Sequence, residues 1–370
     1  MNILYIGHFN EGSGWSHAAI NNVLALNTVG QNVICRNIQL TNSNKLTNEK
    51  VIECLSKPIK DIDVCIQHVL PHHFVGTSMF KNIAYYDGEI NTIKHLPWFY
   101  SLSLADSVWV ACQTNKTNLD KDGLKNVEVI PHCFNLAKYN TEKTVEINTG
   151  TRGHFKFYTI SDLNDRKNLE SIIRCFHSEF KSYEPVELVL KLNQINVPAN
   201  VTRNVIAEKI NNIKQRLRIY PDMNSYKNEI VICDYLSSEN IMNLHKSCDC
   251  FILPSHGEGF SMPSFEAMCY GNTPICSNDG GPKDFIDQHN KDTGYLVDGV
   301  YDICNSSNAA FKDINTGLEE WFHPSESDIK NAMRFYYENK TKINRESGKI
   351  AAEKFSFENI GNLMLEKINE

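Results

Sequence analysis

Residues 256–271 read HGEGFSMPSFEAMCYG. Pro263 suits the first residue of a helix, because its φ is fixed and no N–H is needed there. Gly271 falls where a left-handed C-terminal cap is expected. The stretch therefore predicts a short helix over 263–270, with N–H groups near Ser264 and Phe265 facing the loop 256–262. Such an end suits an anion, a diphosphate among them. Gly257 and Gly259 would let the backbone approach a ligand closely. Glu258 in the loop and Glu266 one turn into the helix would then face one cleft at different depths. Carboxylates accept well from vicinal hydroxyls, so one could hold a sugar and the other a ribose. On spacing alone the pair reads equally well as a loop surface charge and a helix-dipole partner.

On both sides of this stretch, short apolar runs alternate with helical patterns. In the first half, strands are expected at 2–7, 31–38, 63–69, 82–87, 107–112 and 127–132, with a helix over about 16–27 capped by Ser16. A polar segment over 141–153 reads as a linker. The pattern then restarts with a strand at 155–160, a helix at 169–181 and a strand at 186–192. A polar, helix-containing excursion spans 193–228. A strand at 229–235, a helix at 238–247 and strands at 248–254 and 273–278 follow. Strands alternating with helices imply parallel βαβ units. Two successive Rossmann-like halves place a ligand cleft between domains, at the carboxyl ends of the strands. The expected division is 1–148, 149–350 and a C-terminal helix over 351–370 that packs back on the first domain.

Bulk properties agree with this division. A chain of 370 residues exceeds one ordinary core. Its net charge of −7 argues against a broad phosphate-neutralising surface. The N-terminal apolar run, broken at Gly7 and His8, is too short for a signal peptide or a membrane span. Twelve cysteines without a CxxC framework read as reduced thiols, so a cytoplasmic location is expected, with peripheral membrane contact left open. The sequons at Asn115, Asn200, Asn305 and Asn339 then carry no weight.

The glutamate stretch resembles the signature of retaining glycosyltransferase family 4, EGFGLPxxEAMAxGxPVI. This chain reads EGFSMPSFEAMCYGNTPI, with Ser261 for Gly and Met262 for Leu, and the likeness continues through SNDGGPKDFI and GYLV (294–297). The resemblance implies a GT-B fold, with two Rossmann-like doubly wound domains facing across a cleft. It implies that Glu258 contacts donor sugar hydroxyls and that Glu266 binds ribose hydroxyls. Backbone groups of Gly259, Phe260, Ser261 and Met262 would surround sugar and phosphate. Residues 160–176, ISDLNDRKNLESIIRCF, resemble the family's GRLxxxKGxxxLIxAF, whose basic residues hold the donor diphosphate. Lys167 matches the family lysine and Arg166 stands beside it, while Asp162 replaces an earlier family arginine. A guanidinium and an ammonium at a strand-to-helix loop suit a leaving diphosphate. Lys191 is a third cation, and backbone contacts to the base are expected near Tyr235 and Leu236.

In the first half, GHFNEGSGWSH (7–17) resembles the family's first loop, with Gly12 and Gly14 available to a phosphate. In AYYDGEI (84–90), Asp87 aligns with a family histidine near the reacting sugar, and Glu89 lies close by. Either carboxylate could act on the acceptor hydroxyl, and His68 is a further cleft candidate. No HExxH motif is present, and adjacent His72 and His73 would point apart in an extended segment. No cofactor or obligatory metal is expected, since the basic pair can neutralise the diphosphate. The expected reaction moves a hexosyl group, with retention, from a UDP- or GDP-linked sugar to a hydroxyl of a glycan, glycolipid or other glycoconjugate. Two alternatives stand beside it. One is transfer to a nucleic-acid base, which the acidic net charge disfavours. The other is a catalytically idle GT-B binding subunit.

Overall fold

The computed structural model describes every residue except 41–44, 141, 143, 144, 146, 195 and 305–316. The expected linker therefore lies partly, and the Asn305 sequon wholly, outside the described residues.

The first half contains β1 (Asn2–Gly7), α1 (Gly14–Thr28), β2 (Asn32–Asn37), α2 (Glu49–Ser56) and β3 (Val64–His68). It continues with β4 (Lys81–Tyr86), α3 (Phe99–Ser103), β5 (Ser107–Val110), α4 (Gln113–Asp122) and β6 (Val127–Val129). Its six strands form one parallel sheet in the order β2-β1-β3-β4-β5-β6. Strands β3 and β5 are buried along their whole length. Continuous apolar runs of this kind are what a parallel sheet covered on both faces requires.

The second half contains β7 (Phe155–Asp162), α5 (Leu169–Glu179), β8 (Val186–Asn193), α6 (Ala199–Leu217) and β9 (Ile230–Ile232). Then come α7 (Ser238–Ser247), β10 (Cys250–Leu253), α8 (Met262–Cys269), β11 (Thr273–Ser277), α9 (Pro282–Phe285) and β12 (Tyr295–Val297). These six strands form a second parallel sheet, ordered β12-β11-β10-β7-β8-β9. A ribbon of β13 (Gly299–Ile303) and β14 (Glu320–Pro324) pairs antiparallel outside both sheets. The periodicity had given no sign of it. Helices α10 (Glu326–Asn339), α11 (Glu346–Ala352) and α12 (Phe357–Asn369) close the chain.

The strand order reverses between β1 and β3 in one sheet and between β7 and β10 in the other. Loops leaving those strands border the crevice where ligands of doubly wound sheets bind. The chain passes between the halves twice. At the crossings Phe134 N–H donates to the Phe355 carbonyl at 2.9 Å, and Phe134 stacks on Phe265 with centroids 4.2 Å apart. Beyond the second crossing, α12 packs along α1 and adds Ile360, Met364 and Ile368 to the first core.

Two expected boundaries shift. Helix α1 begins at Gly14, with Ser13 rather than Ser16 as its cap. Ser16 is buried and donates its hydroxyl to the His8 carbonyl at 2.5 Å, so it ties the helix to the first loop instead. Helix α8 begins at Met262, which makes Pro263 its second residue.

The second core encloses His245. Asn272 donates to the Tyr158 hydroxyl at 2.9 Å, and that hydroxyl faces His245 Nδ1 at 2.7 Å. Nε2 has no hydrogen-bond partner, and burial outweighs the nearby charge of Glu266, pushing the imidazole down to about 4. The unfolded chain takes up this proton near pH 6.5, the native state only near pH 4, so stability contributed by neutral His245 is lost as pH falls through that window. Urea midpoints should therefore drop between pH 6.5 and 4, and His245→Gln should flatten that slope. An unchanged slope in the variant would assign the loss to other groups.

Candidate active site

The loop after β7 is a 3₁₀ turn, Asp165–Lys167, capped by Asn164, whose side chain accepts from Lys167 N–H at 3.2 Å. Asn168 follows in a left-handed conformation and donates from its side chain to the Pro254 carbonyl at 3.0 Å. The His256 N–H donates to the Arg166 carbonyl at 2.7 Å. The loops leaving β7 and β10 are thus tied together across the switch point, and the side chains meet there as well. Lys167 Nζ lies 2.7 Å from Glu258 Oε1, and Arg166 Nη1 lies 3.2 Å from the same oxygen. Arg166 also donates to the Gly257 carbonyl at 2.5 Å. Burial opposes charge on Glu258, but Lys167 and Arg166 outweigh it and hold the carboxyl below its usual range.

The first domain reaches into the same cluster. Glu89 Oε1 lies 2.7 Å from Arg166 Nη2. Its carbonyl oxygen would lie 2.1 Å from a Cβ on Gly257, so the glycine admits the opposite domain rather than leaving room for a ligand. Gly259 likewise faces Asp87. Beneath the glutamate loop, a Cβ on Gly280 would sit 2.1 Å from the Glu258 carbonyl, which accounts for the glycine pair after β11.

Asp87 is buried at the end of β4. His68 Nε2 lies 2.8 Å from its Oδ2 and His132 Nε2 lies 3.2 Å from its Oδ1, off the hydrogen-bond line. Tyr5 accepts from Asn22 at 3.0 Å, so its own proton points to His68 Nδ1 at 3.0 Å. That leaves the Nε2–H of His68 to donate to Asp87. Burial pushes His68 down and works against charge on Asp87, yet His132 and His68 hold the Asp87 carboxyl well below its ordinary value. His132 escaped the sequence reading, although the strand ending there delivers it to the same sheet edge. Its Nδ1 lies 2.9 Å from the Tyr85 hydroxyl, which donates to the Ile130 carbonyl at 2.6 Å.

Glu266 is engaged by Lys138 Nζ at 2.9 Å and by the Tyr139 hydroxyl at 3.2 Å. Burial opposes its charge and Lys138 restores it, with the carboxyl held below the usual range. Neither partner carried a sequence signal. The expected free donors at the start of α8 are not free: Ser264 and Phe265 N–H both donate to the Ser261 carbonyl at 3.1 Å. Phe260 is a core residue, packed among Phe134, Phe265, Phe285 and Phe355, so only its backbone is available to a ligand. Met262 is half-buried against the same cluster.

Gly12 has φ +64°, and Lys45 crosses over it to lie 5.2 Å from the Tyr235 ring centroid in the other domain. Gly14 is the open first residue of α1. Lys191 lies two residues before the end of β8, where burial pushes its ammonium down; Asn193 Oδ1 is 3.4 Å away. Asn193 also bonds Asp162. Leu236 packs half-buried on the second core. The adjacent rings of His72 and His73 lie 4.1 Å apart on a 3₁₀ turn rather than pointing apart on a strand. Among the described residues no group of three or more His, Cys, Asp or Glu is arranged to hold a metal ion, and no helix is long and apolar enough to cross a membrane.

Two domains of this kind, meeting through the carboxyl ends of parallel strands, define the GT-B architecture. Solved structures agree. Sucrose-phosphate synthase from Thermosynechococcus elongatus gives a TM-score of 0.65 over 99% of this chain and 98% of its own, at 13% identity. Anabaena HepE in complex with UDP and glucose gives 0.66 over 100% and 99%, at 14% identity. These likenesses show the fold. Residues 152–310, the body of the second domain, match the family described as glycosyl transferases group 1. The serotype-specific mannosyltransferase WbdA of Escherichia coli is 25% identical over 234 residues, 60% of this chain and 26% of that protein. The chain thus spans about a quarter of the length of the curated relatives it matches.

Ser261 has φ +70°, which explains why the resembling signature carries glycine there. A left-handed L-residue costs roughly 1–2 kcal/mol. Here the Ser261 hydroxyl bonds that of Ser264 at 2.7 Å, an interaction worth about 1 kcal/mol. Ser261→Gly, losing strain and bond together, should stay within about 1 kcal/mol of wild type. Ser261→Ala keeps the strain and loses the bond, so its urea midpoint should be the lowest of the three.

Proposed function

We propose that this chain is a retaining glycosyltransferase of the family 4 kind, moving a hexosyl group from a UDP- or GDP-linked sugar to a hydroxyl of a glycan, glycolipid or other glycoconjugate. The observation that carries this reading is the convergence of Arg166 and Lys167 on Glu258 at the switch point of the second sheet. Half-buried cations there are suited to a diphosphate, which would replace carboxylate oxygens with phosphate oxygens on the same donors. The names of the matched proteins support the class: one is a mannosyltransferase and another is described with UDP and glucose.

In this reading Glu258 holds the donor sugar through its hydroxyls, and Glu266 holds the ribose once it exchanges contacts with Lys138 and Tyr139. Arg166 and Lys167 stabilise charge on the departing diphosphate as the bond to the anomeric carbon breaks. Departure and attack share one face of the sugar, the acceptor oxygen bonding the anomeric carbon as its proton passes to the departing diphosphate oxygen, so no side chain forms a covalent intermediate. Asp87 and Glu89 orient the acceptor hydroxyl from the first domain. The contact between residues 87–89 and 257–259 excludes water from the reacting centre, which favours transfer over hydrolysis.

A panel of UDP- and GDP-sugars, scored for hydrolysis and transfer, tests the reading. The wild type should turn over at least one donor. Glu258→Gln, which preserves shape, should lower kcat at least a hundredfold without unfolding the chain. Lys167→Ala removes a charge-assisted contact worth about 1.5–3 kcal/mol, so donor KM should rise about ten- to hundredfold. Wild-type turnover by Glu258→Gln would overturn the site assignment.

A further inference from the structure

The ribbon stands outside both sheets, yet its second strand is covered on both sides. Trp321 and Phe322 are 4% and 6% exposed. Successive strand residues point to opposite faces, so two different surfaces must cover β14. Its partner β13 is exposed along its whole length.

One face of β14 grips the loop that carries Glu258. Trp321 and His323 share that face, and the His256 ring lies parallel to the Trp321 ring at 5.2 Å and 4.7 Å from the His323 ring. Phe322 N–H donates to the His256 carbonyl at 3.0 Å, and His256 Nδ1–H donates to the Phe322 carbonyl at 2.8 Å. A carbonyl only accepts, so this bond fixes a proton on Nδ1. Burial pushes the His256 imidazole down, which favours the neutral ring in that tautomer. On its other side His256 N–H donates to the Arg166 carbonyl at 2.7 Å. The backbone two residues before Glu258 is thus held between the cation loop and the ribbon.

The same strand is tied to the first domain just beyond Glu89. Asn91 donates to Glu320 Oε2 at 2.7 Å and accepts from Glu320 N–H at 3.0 Å. His95 Nε2 lies 3.1 Å from Oε1 of Glu319, whose side chain is fully buried. Water cannot reach that carboxylate, so its contacts within the protein are costly to break. Consecutive residues of one strand therefore join the segment after Glu89 to the segment before Glu258. A shift of the first domain has a contiguous, hydrogen-bonded route to the glutamate loop that bypasses the Arg166 contact.

We propose that the ribbon is a strap that positions Glu258, with His256 and Trp321 as positioning residues, and that it makes the place of the glutamate loop depend on that of the first domain. The proposal rests on the transferase reading for the role of Glu258. Hydrogen–deuterium exchange on the whole chain without ligand tests the coupling, in Asn91→Ala and in Asn91→Ala with His95→Ala. Neither residue is buried, and both lie in the other domain from the loop they are expected to affect. Amides at 256–260 should exchange about tenfold faster in the double variant and shift the same way in the single one, while amides of β8 keep wild-type protection. Trp321→Ala should act likewise and Trp321→Phe, which keeps an aromatic ring against His256, should restore protection. In the donor panel the double variant should lower kcat about tenfold and leave donor KM unchanged, because Arg166 and Lys167 are untouched. The proposal is overturned if exchange at 256–260 stays at the wild-type rate in the double variant, or if that exchange rises while kcat does not fall. Absence of turnover in the wild type would defeat the transferase reading instead, and the exchange result would still decide whether the strap couples the domains.

Discussion

A buried positive charge is tolerated only where something negative and hydrogen-bonding meets it, because water is no longer there to do so. Arg166 and Lys167 impose that condition on the whole cleft. Glu258 answers both cations from the loop after β10, and Glu89 answers Arg166 from the other domain. The glycine at 257 follows from this, since Glu89 can reach Arg166 only if its own backbone lies against that residue. The pairing thus sets the distance between the domains at this point. In the proposed function an arriving diphosphate would compete with carboxylates already in place rather than fill an uncompensated hole.

Much of this was legible from residue order. Strand runs at 2–7 and 155–160, each restarting a β–α alternation, led to two parallel sheets, and the Lys167 and Glu258 loops met because both leave strands flanking a reversal. What pattern reading missed has physical reasons. The ribbon strands are short and separated by a polar stretch, so neither shows a usable period. Gly257 and Gly259 were read as room for a ligand, because a sequence shows that a Cβ is unwelcome but not what lies opposite. Ser13 and Ser16 are both competent caps; only the donation of Ser16 to the His8 carbonyl decides between them. Asp87 was legible as a cleft carboxylate, but its partners His68 and His132 come from other strands, and only sheet order brings them together.

The departures from the signature it resembles are also local. Ser261 occupies a left-handed position meant for glycine and offsets part of that cost through Ser264. Asp162 stands where the resembling signature has a cation; it bonds Asn193, and its charge also supports that of Arg166. The match to the glycosyl transferases group 1 description lies in the second domain, over residues 152–310.

In the proposed function Arg166 and Lys167 form the diphosphate site. A crystal structure of the chain with UDP or GDP tests this most directly. The expected result is a diphosphate within hydrogen-bonding distance of both cations, with Arg166 released from Glu89 or Glu258. Nucleotide bound elsewhere, with the Arg166–Lys167–Glu258 cluster intact, would contradict it.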